Sequence, residues 1–282
     1  MSFRPSGARS WKVALLALVG AFALTSCSSD KLATGFLPST RGMTDKTDSL
    51  ISLWNGAWIA ALLIGVLVWG LIIWCVIVYR KRKGDNELPV QLQYHVPLEL
   101  MYTIIPIFMV GVLFYHTVKT TDQLWDTEGP VDNHISIYGK QWSWDFNYLD
   151  DDVFYSGERI TLTGKEGDFE RLPTLYLPVN ETVEFQLHSR DVQHSFYIPA
   201  FLTKLDMIPG EQRVFHVTPR EKGTYVGKCA ELCGEYHAEM LFQVKVVDRA
   251  EYDAEMQKLR EAGNVGERGE EFDGTYTPGG SY

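Results

Sequence analysis

The chain has 282 residues, 45% of them hydrophobic and 13% aromatic, with a formal net charge of −10. That much apolar and aromatic material excludes a disordered polar chain, which lacks the burial needed to offset the entropy of ordering. The acidic balance lies in residues 120–247, where acidic side chains outnumber basic ones nearly twofold; it excludes nucleic acid as a partner and favours a basic protein drawn in by long-range attraction.

At the start, Arg4, Arg9 and Lys12 precede an apolar run from Val13 to Leu24, and L-T-S-C ends at Cys27. This is the charged-then-apolar order of an export signal, and small residues before a cysteine resemble a bacterial lipobox. We expect residues 1–26 to be a signal peptide and Cys27 to become the lipidated first residue. The apolar run is too short to span a membrane as an uncleaved anchor. Residues 27–49, rich in Ser, Thr, Asp and Gly, read as a lipidated polar linker.

Residues 50–118 hold two apolar runs. The first, Ser49 to Tyr79, carries no charge and is studded with Trp54, Trp58, Trp69 and Trp74. It exceeds the ~20 helical residues that cross a bilayer. The basic run Arg80 to Lys83 follows at once, which places that end on the cytoplasmic side. The second run, Leu100 to Val118, comes after a short loop and contains Pro106, expected to kink a membrane helix without breaking it. The two spans predict an antiparallel transmembrane hairpin, with everything after residue 119 on the exported face of a bacterial cell membrane.

Within residues 119–247, taken as one domain, the period changes from about Gly129 to Val247. V-E-F-Q-L-H (183–188) alternates apolar and polar, as do parts of 214–217 and 242–246, with Gly and Pro between. This predicts half-buried strands in an all-β sandwich or Greek-key barrel. Residues 248–282 read as a charged helix, 249–262, followed by a flexible acidic tail.

Donor atoms for a soft metal cluster near the end of the β region. C-A-E-L-C-G-E-Y-H-A-E-M, Cys229 to Met240, holds two thiols, an imidazole and a thioether, and D-V-Q-H-S supplies His194 upstream. Sulfur with imidazole nitrogen selects copper over hard cations. One cysteine with two histidines and a methionine would make a mononuclear site; a second cysteine four residues on lets two thiolates bridge two metals, so the pattern reads as a dinuclear copper centre. Cys75 reads as a small hydrophobe of the first span, and His95, His116, His134, His188 and His216 as surface or packing residues. The four cysteines thus have separate explanations, and no disulfide framework is expected.

D-V-Q-H-S with C-x-E-x-C-x-x-x-H-x-x-M resembles the CuA site of cytochrome c oxidase subunit II, a likeness that runs from about residue 45 to 247. The resemblance implies a cupredoxin-like domain behind a two-helix membrane hairpin. It implies that Cys229 and Cys233 bridge two copper ions, that His194 and Met240 complete one, and that His237 and the Glu231 carbonyl complete the other. It also implies a magnesium ion, shared with the catalytic subunit through the Glu231 carboxylate. G-K-Q-W-S-W-D-F (139–146) resembles the family's aromatic region, which makes Trp142 the exposed point where electrons arrive from cytochrome c. Asp145, Asp150, Asp151, Asp152 and Asp191 are candidates for an acidic docking rim; Lys140 departs from the family pattern there. E-L-M-Y-T-I-I-P implies that Glu99 lies at the mouth of a proton pathway. Asp206 matches a position near the subunit interface.

The implied function is the electron-accepting subunit of an aa3-type haem–copper terminal oxidase, active only within the complex, with catalytic subunit I, other oxidase subunits, cytochrome c (free or as a domain of a neighbouring complex) and membrane lipid as partners. Oxygen reduction and proton pumping would belong to the catalytic subunit. A copper-delivery protein lacks the His and Met four and seven residues after the second Cys; nitrous oxide reductase needs a further His-rich domain; a quinol oxidase subunit would lack the copper donors.

Overall fold

The computed structural model describes residues 29–84, 88, 90–165 and 167–274. The expected signal peptide and Cys27 lie outside the described residues. A short helix α1, Ser29–Ala33, opens the described chain. Two long helices follow, α2 at Thr47–Val78 and α3 at Val96–Leu124. At 1.5 Å per residue they are about 48 and 43 Å long, more than the ~30 Å hydrocarbon core requires. Their side chains, Trp58, Leu63, Val66, Trp69, Ile107 and Phe108 among them, are exposed. A contiguous apolar surface of that size calls for lipid or partner helices around it. Lys46 Nζ donates to the Gln123 carbonyl at 2.9 Å, which brings the start of α2 to the end of α3 and makes the pair antiparallel.

α3 is longer at both ends than its apolar run. At the start, His95 Nδ1 accepts the Leu98 N–H at 3.3 Å, while Glu99 Oε1 accepts the His95 N–H at 2.8 Å. This reciprocal cap, with Pro97 in the first turn, sets the boundary independently of hydrophobicity. The helix runs unbroken through Pro106 and continues past Val118 until the Trp125 N–H closes on the Thr121 carbonyl.

Ten strands make two five-stranded sheets. They are β1 Asn133–Lys140, β2 Ser143–Tyr148, β3 Val153–Ser156, β4 Thr174–Pro178, β5 Val183–Ser189, β6 His194–Ile198, β7 Thr203–Met207, β8 Arg213–Val217, β9 Gly223–Cys229 and β10 Leu241–Val247. One sheet has the order β3-β2-β1-β5-β8, the other β4-β10-β9-β6-β7. This is the expected cupredoxin-like sandwich. Alternation on β5 turns Val183, Phe185 and Leu187 inward and Glu184, Gln186 and His188 outward. Between the sheets the fully buried rings of Trp144, Phe146, Phe185, Phe196 and Phe242 pack together, with Phe196 stacked on Phe242 at 5.0 Å. Each such ring contributes roughly 1.5–3 kcal/mol of burial. Gly227 is required beneath Phe242, because a Cβ there would sit 2.1 Å from the ring.

The described segments on either side of the membrane hairpin and β domain, residues 43–45 and 249–274, make more contacts with the domain than their composition predicts. In the polar linker, Met43 joins the core, Thr44 bridges Pro219, and the Asp45 carboxylate accepts the Thr218 N–H at 2.9 Å. The helix α4, Arg249–Glu261, buries Tyr252, Met256 and Leu259. The tail expected to be flexible is instead strapped along the domain as far as Gly274. Arg190 is the reason: its guanidinium is buried and donates to the carbonyls of Arg268, at 2.6 Å, and Gly269, at 2.7 Å, and to Asp273, at 3.1 Å. A buried cation needs acceptors, and a segment that looks like solvated tail supplies them.

Arg190 also meets Asp145 at 2.8 Å, whose other oxygen takes Lys140 at 2.7 Å and Ser156 at 2.7 Å. Burial raises the Asp145 carboxyl, but the two cations more than reverse this, so it titrates below the ordinary carboxylate range. A depressed carboxyl stabilises the fold above its unfolded pKa of about 4, and that contribution is lost as pH falls through the lower folded value. We predict that Asp145→Ala, by stranding two buried cations, costs about 3–5 kcal/mol and lowers the melting temperature of the β domain, followed by near-ultraviolet circular dichroism. The gap between variant and wild type should narrow as pH is lowered below 4.

Candidate metal centre

Strand pairing assembles the donors. β9 ends at Cys229 and β10 begins at Leu241, paired antiparallel with Leu241 opposite Lys228. The Cys229 N–H donates to the Met240 carbonyl at 3.0 Å, so the loop leaves and returns at one point. Within it, Gly234 at φ +127° occupies the left-handed side of the map, and a 3-10 turn at His237–Glu239 brings the imidazole back over the thiols. β6 lies beside β9, with Phe196 opposite Cys229, and its first residue is His194.

The Sγ atoms of Cys229 and Cys233 are 3.9 Å apart. His194 Nδ1 is 3.8 Å from the Cys229 sulfur, whereas His237 Nδ1 and Met240 Sδ lie 3.5 and 3.7 Å from the Cys233 sulfur. The Glu231 carbonyl is 3.2 Å from the Cys229 sulfur. All six expected ligand positions therefore converge. The sulfur separation rules out a disulfide, whose S–S bond is about 2.05 Å. It suits thiolates sharing cations, since metal–donor bonds of about 2.0–2.3 Å let one ion touch two such neighbours. Cys229, Cys233, His194 and Met240 are buried, so water is excluded from most of the group.

Electrostatics favours a cation. The hydrogen-bonded Cys233 neighbour draws the Cys229 thiol well below the usual thiol range against the opposing effect of burial, with His194 and backbone groups assisting. Cys233 holds the shared proton and moves up, because its loss would set a second charge beside the first in a buried place. For His194 burial favours the neutral ring, but hydrogen bonds to Asp191 and Cys229 reverse that, and its pKa rises. A metal displacing these protons would neutralise the paired thiolates.

Other expected site residues fall differently. Trp142 is only 9% exposed rather than standing free; its indole N–H donates to the Cys233 carbonyl at 3.2 Å and its ring meets Tyr236 edge-on at 4.8 Å. The acidic rim does not form as expected. Asp145 is buried in its ion cluster, and Asp191 is turned inward, its Oδ1 2.7 Å from His194 Nε2. Asp150, Asp151 and Asp152 sit at the end of β2 remote from Trp142. The loop itself carries Glu235, exposed, and Glu239, paired with Arg159 at 2.9 Å. Glu99 lies at the cap of α3 and Glu231 is half-buried in the loop. Asp206 pairs with Lys204 at 2.7 Å. His95 caps α3, His188 stacks on Tyr138 at 4.6 Å and His216 pairs with Glu184 at 2.9 Å, all away from the metal group.

A family model described as "Cytochrome C oxidase subunit II, periplasmic domain" matches residues 134–247. "Probable cytochrome c oxidase subunit 2" of Streptomyces avermitilis is 39% identical over 257 residues, covering 79% of each chain. "Cytochrome c oxidase subunit 2" of Mycobacterium tuberculosis is 34% identical over 298 residues, covering 88% of this chain and 81% of the relative. Among solved structures, the periplasmic domain of subunit II of cytochrome oxidase (CoxB) of Bradyrhizobium japonicum aligns with a TM-score of 0.43 at 29% identity, covering 48% of this chain and 97% of that one.

The His194 ring packs on Gly139, where a Cβ would lie 3.0 Å from the ring. We predict that Gly139→Ala displaces the imidazole, costs about 1–3 kcal/mol through overpacking and lowers copper stoichiometry measured by metal analysis. Gly129→Ala, with nothing within 4 Å, should change neither.

Proposed function

The chain belongs to the cytochrome c oxidase subunit II family, and from this membership and its own geometry we propose that it is the electron-accepting subunit of an aa3-type haem–copper oxidase. The observation that carries the reading is the convergence of two thiols, two imidazoles, a thioether and a carbonyl in one cluster, four of whose residues are buried. Two copper ions held there would supply a one-electron couple. The protein's part is to fix the donors. His194 and Cys229 lie on β6 and β9, and the loop that carries the other four donors is closed between β9 and β10, so little movement would accompany a change of charge, and burial of most donors keeps water from reorganising around them.

In this reading Cys229, Cys233, His194, His237, Met240 and the Glu231 carbonyl would together hold the two copper ions, with the two thiolates shared between them. Trp142, packed against the loop through the Cys233 carbonyl and the Tyr236 ring, is where electrons arrive from cytochrome c. The Glu231 carboxylate, half-buried in the loop, would be the ligand for a magnesium ion shared with catalytic subunit I, the subunit that would reduce oxygen and move protons. Glu99, at the cytoplasmic start of α3, stands at the mouth of a proton pathway. A lipid on Cys27 and the helical hairpin hold the chain in the cell membrane with the β domain on the exported face. Burial of four donors argues against a copper carrier, which needs a site open to exchange.

The full chain reconstituted with copper should bind two ions and give a mixed-valence electron-spin resonance signal; one ion, or none, would overturn the reading. Cys229→Ser and Cys233→Ser should each abolish that signal. In the assembled oxidase, Trp142→Phe should slow oxidation of cytochrome c severalfold while two coppers remain, and an unchanged turnover would remove Trp142 from the role.

A further inference from the structure

Two ligands that come from opposite sides of the metal group are joined by a route outside it. Asp191 Oδ1 lies 2.7 Å from His194 Nε2, the ring nitrogen that faces away from the thiols. Its Oδ2 accepts the backbone N–H of Gln141 at 2.7 Å. Gln141 in turn reaches across with its side chain, Nε2 donating to the Cys233 carbonyl at 2.7 Å. The Trp142 indole donates to the same carbonyl at 3.2 Å. A continuous chain of hydrogen bonds thus runs His194, Asp191, Gln141, Cys233. The Asp191 side chain is 14% exposed and His194 has no exposed surface, so water competes weakly for these bonds. Gly234, beside Cys233, is what allows the approach: a Cβ there would lie 3.1 Å from Gln141 Nε2 and 3.0 Å from the Trp142 ring.

We propose that Asp191 and Gln141 form a clasp of positioning residues that orients His194 toward Cys229 and holds the Cys233 side of the loop in register with it. This rests on the reading of these donors as the copper set. A carboxylate on the outer nitrogen of a ligating imidazole fixes its tautomer and makes the inner nitrogen a stronger donor. That stabilises the more positive oxidised state, so the clasp holds the reduction potential down. Gln141 acts differently. It carries no charge, and its two bonds tie Asp191 to Cys233, so it sets geometry more than donor strength.

The test uses the full chain loaded with copper. In wild type, two bound ions establish the underlying reading; if they are absent, that reading fails before the clasp is examined. Asp191→Asn should keep the fold, weaken copper binding roughly 10- to 100-fold, raise the reduction potential and alter the His194 hyperfine coupling. Gln141→Leu, which keeps shape but removes the side-chain donor, should alter the hyperfine coupling with a smaller change in potential. The double variant should show less than the sum of the two, as expected for groups in one network. Asp150→Asn, an exposed carboxylate bonded to His134, is the control for loss of charge alone. Equal shifts in Asp191→Asn and Asp150→Asn, or strictly additive effects in the double variant, would overturn the proposal. If Asp191→Asn does not fold, Gln141→Leu decides it: hyperfine coupling identical to wild type there would also overturn it. In copper-free protein, Asp191→Asn should speed hydrogen exchange at the Gln141 amide, and protection equal to wild type would count against the clasp.

Discussion

One backbone hydrogen bond, from the Cys229 N–H to the Met240 carbonyl at 3.0 Å, governs the shape of the metal group. It makes the excursion between β9 and β10 start and finish at neighbouring points of one sheet, so the residues between must double back. Cys233 and His237 therefore return over Cys229, and Met240 arrives beneath Cys233. Left to a free loop, the same four donors would each have to be collected against chain entropy. Here the cost is met by strand pairing, and the pairing is secured in turn by the aromatic core, where Phe242 of β10 lies directly on Gly227 of β9. The donor geometry is thus a by-product of the sheet register.

A second constraint operates on the outer face of the other sheet. Arg190 and Asp145 are both buried, and charges in such a place are stable only when every polar group around them is satisfied. Lys140, Ser156, two carbonyls of the strap and Asp273 complete the set, with Arg190 also lying 4.0 Å over the Tyr138 ring. The strap is ordered because the cluster requires its carbonyls, and the cluster can be buried because the strap covers it. Arg190 immediately precedes Asp191, so the element that recruits the strap also leads into the carboxylate that meets His194. Order at the C-terminal segment and order at the metal group share a short piece of backbone.

These features differ in how well the sequence announces them. The donors were legible because metal chemistry restricts residue type and spacing together, and few other uses of a chain put Cys, Cys, His and Met at those intervals. β5 was legible because its two faces differ, and the spans because a bilayer demands a long apolar run. The start of α3 was not, since His95 and Glu99 set it through a cap that hydropathy does not register. Nor was the role of Asp191: the acidic residues of 145–152 and 191 look alike as letters, and charge says nothing about direction. One is buried with two cations, one turns to an imidazole, and three lie at the far end of β2. Asp191 did carry a weak signal, standing three residues before a metal-type histidine. The Trp142 environment and the strap depend on acceptors distant in sequence, and no local pattern encodes them.

The junction between membrane and β domain carries this point furthest. Residues 40–49 look like a polar tether, and a tether would let the domain swing over the bilayer. Instead the Asp45 N–H and carboxylate both bond Thr218, at 3.2 and 2.9 Å, Lys46 ties to the end of α3, and Trp125 meets Phe215 edge-on at 6.5 Å. Both ends of the hairpin are stitched to the end of β8 and the turn after it. β8 pairs with β5, and β5 leads through Arg190 and Asp191 to His194. A continuous path of hydrogen bonds, ring contact and strand pairing therefore links the two long helices to the donor cluster. These bonds fix where the donor cluster sits relative to the two long helices. The stretch with the least sequence signal is the one that supplies them.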